Sequence, residues 1–444
     1  MTRKQLFTLL ATIVGSSIVV LDGTVVNLAL PSVARDLHAS FADLQWIVDG
    51  YMLSLSALIL LGGSLGDVFG RKRTYLVGLC GFGLLSLLCG LAPDRNILIA
   101  MRVIQGVFGA LLVPGALAII NTNFEQKDRG KAIGRWAAWL SLGPAIGPLL
   151  GGYIVDSASW RWIFFINVPL VLVCLTLGLL GIKESRDEWQ RRLDIRGALL
   201  TVLALGGVTF GLIEGPVRHW DALALVSLIV GVASFGLFVR IERRQKDPMV
   251  PLRLFRSRNF TGANLMTFAM YGALSGFIFG LVIYLQTKMG YAAISAGASL
   301  LPVSVLLFAL SGRIGGLVTK CGPRVFMTLG PLLCGAGMGW LYWLHKGVSY
   351  WVGVFPGAVL FGLGMALLVA PLTITVMAAV HDTDSGIASG INNAVSRAAG
   401  LIVVALLGLF GAAQAYHFTV ILSAGLAVFA GVISFVLIRN PARG

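Results

Sequence analysis

Fourteen runs of about twenty apolar residues follow one another almost without pause, near 7–30, 44–66, 74–92, 97–121, 132–155, 162–182, 196–214, 221–240, 259–286, 293–318, 324–344, 350–378, 386–412 and 416–438. Runs of that length match the hydrocarbon thickness of a bilayer. Lipid offers backbone amides no partners, so spanning segments must be helices or a closed barrel, and uninterrupted apolar runs select helices. With 57% hydrophobic and 12% charged residues, an ordinary soluble globule is excluded. The expected fold class is an all-α polytopic membrane protein with 14 transmembrane helices, and its short loops leave no room for a soluble domain.

Lysine and arginine set the orientation. With a cytoplasmic N-terminus, 25 of the 34 basic residues fall on the cytoplasmic face, and the opposite face holds only Arg35, Arg95, Arg161, Arg218, Lys288 and Lys346. The positive-inside rule then places the chain in the cytoplasmic (inner) membrane as a multi-pass protein with both termini cytoplasmic. The net charge of +15 meets anionic headgroups of the lipid bilayer. It is spread over many short loops, so no nucleic acid is expected as a partner. Arg3 and Lys4 precede an apolar run too long for a signal peptide, which reads as a retained first helix. Cys80, Cys89, Cys174, Cys321 and Cys334 fall in spans or at a cytoplasmic edge and imply no disulfide framework.

A repeat divides the chain. Gly63-Ser-Leu65-Gly66-Asp67-Val-Phe-Gly70-Arg71, between spans two and three, aligns without a gap on Gly315-Gly-Leu317-Val-Thr-Lys-Cys-Gly322-Pro, between spans ten and eleven. Gly109-Ala-Leu-Leu-Val-Pro114 is echoed by Met365-Ala-Leu-Leu-Val-Ala-Pro371. The expected organisation is an N-terminal six-helix bundle over 1–183, an inserted helix pair with cytoplasmic linkers over 184–258, and a C-terminal six-helix bundle over 259–444. Paired bundles of this kind hold substrate near the midplane.

Charges inside the spans are few. Asp22 lies in the first apolar run, where a carboxylate costs about 2.5–3.5 kcal/mol on insertion scales. It is either a proton or cation site in a transport path or a structural carboxylate bonded to a neighbouring helix. At 1.5 Å per residue, Arg102 lies about 7 Å, Asp49 about 8 Å and Asp22 about 12 Å below the outer boundary, so the three can meet in the outer half of the bundle. A cation beside Asp22 and its burial act oppositely on its proton affinity, which suits exchange. A permanent salt bridge, and for Asp49 a solvated place near a helix start, are the bland readings.

Four motifs stand out: Leu21-Asp22-Gly-Thr24-Val-Val-Asn27 in span one, Gly63 to Arg73 in the loop, Arg102-Val-Ile-Gln105-Gly106 in span four, and Gly143-Pro144-Ala-Ile-Gly147-Pro148-Leu-Leu-Gly151-Gly152 in span five. Trp160-Arg161-Trp162-Ile-Phe164-Phe165-Ile-Asn167-Val-Pro169 follows the last. Together they resemble the major facilitator superfamily, in particular the fourteen-helix drug:proton antiporter branch that includes quaternary-ammonium-compound exporters. The resemblance implies the major facilitator fold and a proton-coupled antiporter exporting amphiphilic or cationic drug-like compounds by alternating access. Asp22, Asp49 and Arg102 would serve proton coupling. Gly63, Asp67, Gly70 and Arg71 would form a gate latch, and Gly143, Gly147, Pro148, Gly151 and Gly152 the antiporter helix. Asn27, Gln105, Asn392, Asn393 and Arg397 are possible substrate or gate contacts. The chain departs from some relatives of that branch in lacking carboxylates in spans ten and thirteen, where Leu306, Asn393 and Arg397 stand.

Trp136, Trp139, Phe268, Tyr271, Phe277 and Tyr284 are candidates for a cavity wall. The five histidines show no zinc spacing and a Walker-type phosphate loop is missing. No enzyme activity, cofactor or metal is therefore expected. The expected partners are a small amphiphilic substrate and protons, and the chain is expected to be a monomer. A lipid or glycolipid flippase of the same fold, or a non-transporting membrane sensor, stays open as an alternative.

Overall fold

Polar residues at the loop edges start the helices. Thr2 and Gln5 close a capping box on α1 (Arg3–Asp36), and Ser40 with Asp43 does the same for α2 (Phe41–Phe69). Asp94 caps α4 (Arg95–Asn123), accepting from the amides of Asn96 and Ile97. The computed structural model describes residues 1–140, 143–186, 193–245, 248–381 and 384–440. They are helical throughout, without strands.

Between those helices and beyond them run α3 (Arg71–Gly90), α5 (Gln126–Leu140), α6 (Gly143–Ser157), the single turn α7 (Trp162–Phe165), α8 (Asn167–Gly181), α9 (Ile195–Val217) and α10 (Ala222–Glu242). They continue as α11 (Arg258–Thr287), α12 (Ala293–Ala298), α13 (Leu301–Cys321), α14 (Pro323–Trp340), α15 (Tyr350–Gly353), α16 (Phe355–Ala378), α17 (Ser385–Leu406) and α18 (Gly411–Leu437). Thirteen helical segments among the described residues are long and apolar enough to cross a membrane. The fourteenth expected span, 132–155, falls on α5 and α6, each of 15 residues, and its residues 141–142 lie outside the described ones.

Two compact units form, Met1–Met249 and Val250–Gly444. The duplication is plain within each. In the first, α2 and α3 pack on α4, and α1 packs on α6 and α8; in the second, α13 and α14 pack on α16, and α11 packs on α17 and α18. Gly70 and Gly322 both take positive φ, +104° and +77°, at the tight turns joining α2 to α3 and α13 to α14. A backbone in that region favours glycine. Each turn is plugged by the polar residue that follows its unit's sixth span. Glu184 accepts from the amides of Lys72 and Arg73, and Asn440 from the amide of Arg324.

The inserted helices α9 and α10 pack on each other through glycines, Gly207 against Gly231, and α9 also packs on α2. The start of α9 is anchored by Asp194, which accepts from Gly197 and from the Gln245 amide. Burial pushes the Asp194 carboxyl up, but hydrogen bonds from Glu242, Gly197, Gln245 and Met249 hold it below the usual carboxylate range. The other flank of α10 exposes Ile229, Val232 and Phe235, as a lipid-facing surface does.

Candidate functional site

The first unit buries a charged pair. Asp22 is placed by α1 and Arg102 by α4, and both side chains are almost wholly enclosed, at 0% and 1% exposure. Arg102 Nη1 donates to Asp22 Oδ2 at 2.5 Å and to Gln105 Oε1 at 2.7 Å, while Nε donates to the Ile47 carbonyl at 3.1 Å. The guanidinium also lies over the Tyr51 ring, 4.1 Å from its centroid. A charge-assisted bond between ions in a dry interior is strong, and it offsets the cost of removing both from water.

Asn167 of α8 links Asp22 onward to α3 and α7. Asn167 Nδ2 donates to Asp22 Oδ1 at 3.3 Å and to Ser86 Oγ at 3.0 Å, and Ser86 in turn donates to the Phe164 carbonyl. Gln105 Nε2 stands 3.5 Å from the same carboxylate oxygen. Asn167 stands in the aromatic motif before Pro169, its only signal in the sequence, and Ser86 carries none. A small cavity opens beside the pair, walled by Leu21, Asp22, Leu150, Ile166 and Asn167.

Asp49 does not join them, which corrects the expectation that all three meet. Azimuth on the helix decides the contact. On α2 the Ile47 carbonyl and Tyr51 face Arg102, whereas Trp46 and Leu53, three residues before and four after Asp49, face α9. Residues at those spacings share a face, so Asp49 turns from the pair toward the inserted helices. Nor is it a solvated residue near a helix start. It is 0% exposed, and neither carboxylate oxygen has a hydrogen-bond partner among the described residues.

The residues expected to form a gate latch cluster at the C-terminal end of α2. Arg71 donates to Asp67 through Nε and Nη2 at 2.9 and 2.7 Å, four residues apart across the Gly70 turn. Gly63 rests against Pro114 of α4. On α6, Gly143, Gly147 and Gly151 line the seam with α1, facing Val20, Thr24 and Val25, and Gly152 is also buried. Pro148 lies inside α6, while the side chain of Pro144 lies outside the described residues. Asn27 donates back to the Gly23 carbonyl and stays apart from Asp22's partners.

In the second unit the matching seam, α11 with α17, holds neutral groups. Asn392 donates to Asn264 Oδ1 and Thr267 Oγ1, and Asn393 bonds within its own helix to Ser389. Arg397 is half-buried on α17. Of the aromatic candidates, Phe277 is 1% exposed and packs on Phe361, Tyr284 stacks on Tyr416, and Trp136 donates to Ser16. These serve packing. Trp139 and Phe268 are exposed.

The profile of the Major Facilitator Superfamily matches residues 12–405. The chain belongs to this superfamily. Its similarity to multidrug resistance protein Stp of Mycobacterium tuberculosis is 36% identity, covering 92% of this chain and 76% of that protein. The puromycin resistance protein pur8 of Streptomyces alboniger is 37% identical, over 90% of this chain and 80% of its own. The tetracenomycin C resistance and export protein of Streptomyces glaucescens is 33% identical, over 92% and 76%. Among solved structures, a peptide transporter POT in complex with sulfate superposes with a TM-score of 0.73 over 97% of this chain and 93% of its own, at 16% identity, a likeness of fold. The chain is thus a multi-pass transporter of the superfamily, and its relatives are multidrug and antibiotic resistance exporters, as the drug:proton antiporter resemblance implies.

Proposed function

We propose that the protein is a proton-coupled antiporter that exports amphiphilic or cationic drug-like compounds across the cytoplasmic membrane. Export and the substrate class rest on the resistance proteins to which it is similar. Proton coupling rests on one observation, a membrane-buried carboxylate paired with a cation that has other acceptors at hand. When Asp22 takes a proton, Arg102 keeps the Gln105 oxygen, the Ile47 carbonyl and the Tyr51 face. When the pair opens, those neutral groups keep the guanidinium hydrogen-bonded although its charge loses its counter-ion.

The proposed cycle follows. Facing outward, Asp22 is protonated and its hold on a cationic substrate weakens; facing inward, it loses the proton and substrate binds again. Asp49 is the second proton carrier, because a buried carboxyl without a donor is tolerated as the neutral acid and is very costly as the anion. The Asp67–Arg71 latch and the α1–α6 glycine seam belong to the moving parts.

Inside-out vesicles test this. An inside-acid gradient should drive uptake of ethidium, a monovalent cationic amphiphile, by the wild type, and Asp22→Asn should abolish that uptake while the protein still inserts and folds. Asn keeps an oxygen for Arg102 but can neither bind nor release the proton. Equal uptake by the variant would remove Asp22 from the coupling path.

A further inference from the structure

Two polar side chains on the seam between α2 and α9 are fully buried and have no hydrogen-bond partner among the described residues: the carboxyl of Asp49 and the hydroxyl of Thr209. Buried polar groups are nearly always paired, so each exception needs an account. Threonine in a membrane helix has an easy solution, donating to a carbonyl one turn back. Thr12, Thr24, Thr122 and Thr176 do so at 2.9–3.2 Å, and Thr201 on α9 itself does so at 2.8 Å. Thr209 does not, so its hydroxyl is left available.

The register sets the two at one level on one flank, without a hydrogen bond between them. Trp46 Nε1 donates to Glu214 Oε1 at 2.8 Å and its ring lies 6.2 Å from that of Phe210, while Leu53 approaches Gly206. The helices are therefore antiparallel. Between those contacts, Asp49 is four residues before Leu53 and Thr209 three after Gly206, which sets them level. They also share a side of the seam. Gly50 and Ser54 mark the flank of α2 that meets α4, and Gly207 and Gly211 the flank of α9 that meets α10. At 100° per residue both Asp49 and Thr209 turn to the opposite flank.

We infer that Thr209 is a positioning residue for proton coupling: its hydroxyl donates to Asp49 when that carboxyl gives up its proton, so the inserted helix pair takes part in coupling. This rests on the reading of Asp49 as a proton carrier. A hydroxyl can rotate to donate to the anion or accept from the acid, and the bond to the anion is the stronger. Among the described residues, the following charged and titratable groups of α1, α2, α3, α4 and α9 have other partners. Arg102 of α4 turns to the far face of α2, with Asp22 of α1 behind it. Glu214 of α9 lies further outward, held by Trp46 and Arg218. On α3, Cys89 and Tyr75 are bonded to Gln105 and the Ala11 carbonyl. On α2 itself Asp43 is paired with Arg95.

Infrared difference spectroscopy on the full chain in liposomes tests the inference without a ligand. The wild type should show the carbonyl stretch of a protonated buried carboxyl that Asp49→Asn removes. Thr209→Val, nearly isosteric, should keep the band but move the pH of half-disappearance upward by about one to two pH units, the worth of one hydrogen bond to a charged group. Thr209→Ser should restore it, and the pH profile of export should move in step. If Thr209→Val does not insert, Thr209→Ala removes the same hydroxyl with less bulk. A band that Asp49→Asn removes but the threonine variants leave in place overturns the role of Thr209 alone. No band assignable to Asp49 overturns that role and the Asp49 reading together, while leaving the Asp22 vesicle result to stand by itself.

Discussion

Arg102 cannot shed its proton, and at 1% exposure it must carry its charge inside the first unit. Removing one partner of such a pair leaves an uncompensated buried ion and costs about 3–5 kcal/mol, whereas replacing both can be nearly neutral. Asp22→Leu and Arg102→Met should therefore each lower the detergent unfolding midpoint strongly, and the double variant should unfold closer to the wild type than the sum of the two. Strict additivity would mean that the Coulombic pair does not hold α1 to α4. Asp22 and Arg102 were legible in the sequence because a charge in an apolar run has no cheap explanation. Asn167 and Ser86 were not, since amides and hydroxyls are common in membrane helices and their partners come from other elements. Asp49 was legible as a buried acid by depth, but the face it presents depends on which helix lies beside α2.

The seam between α1 and α6 shows the same division at the scale of elements. Glycines at 143, 147 and 151 announce close helix approach, yet nothing in their spacing names α1 as the partner. The structure supplies it: a side chain at Gly151 would meet Val25, and one at Gly147 would strike Thr24. Asp22 stands on the same stretch of α1, so this packing also sets the width of the cavity beside it. Forcing carbon into such a contact costs about 1–3 kcal/mol. Gly151→Val should accordingly lower the unfolding temperature in detergent and reduce ethidium export. Gly236→Val is the control, since a side chain at Gly236 on α10 meets nothing within 4 Å. Equal behaviour of the two variants would mean that the seam does not constrain the site.

Duplication governs the whole molecule, and it supplies a test of orientation that needs no engineered residue. The turns at Gly70 and Gly322 are equivalent, each closing the second and third spans of its unit and each plugged by the residue after the sixth. If the lysine and arginine bias orients the chain as proposed, both turns are cytoplasmic. Cys321 ends α13 immediately before Gly322 and is exposed, whereas Cys89, Cys174 and Cys334 are buried. Cys80 is also exposed, but it lies at the middle of the 20-residue α3, where a charged reagent cannot follow it into hydrocarbon. The native protein therefore carries a single thiol at a membrane edge. A membrane-impermeant maleimide should label inside-out vesicles and spare sealed right-side-out ones, and Cys321→Ser should erase the signal. The opposite pattern would place the termini and the Asp67–Arg71 pair on the outer face and overturn the orientation read from the basic loops.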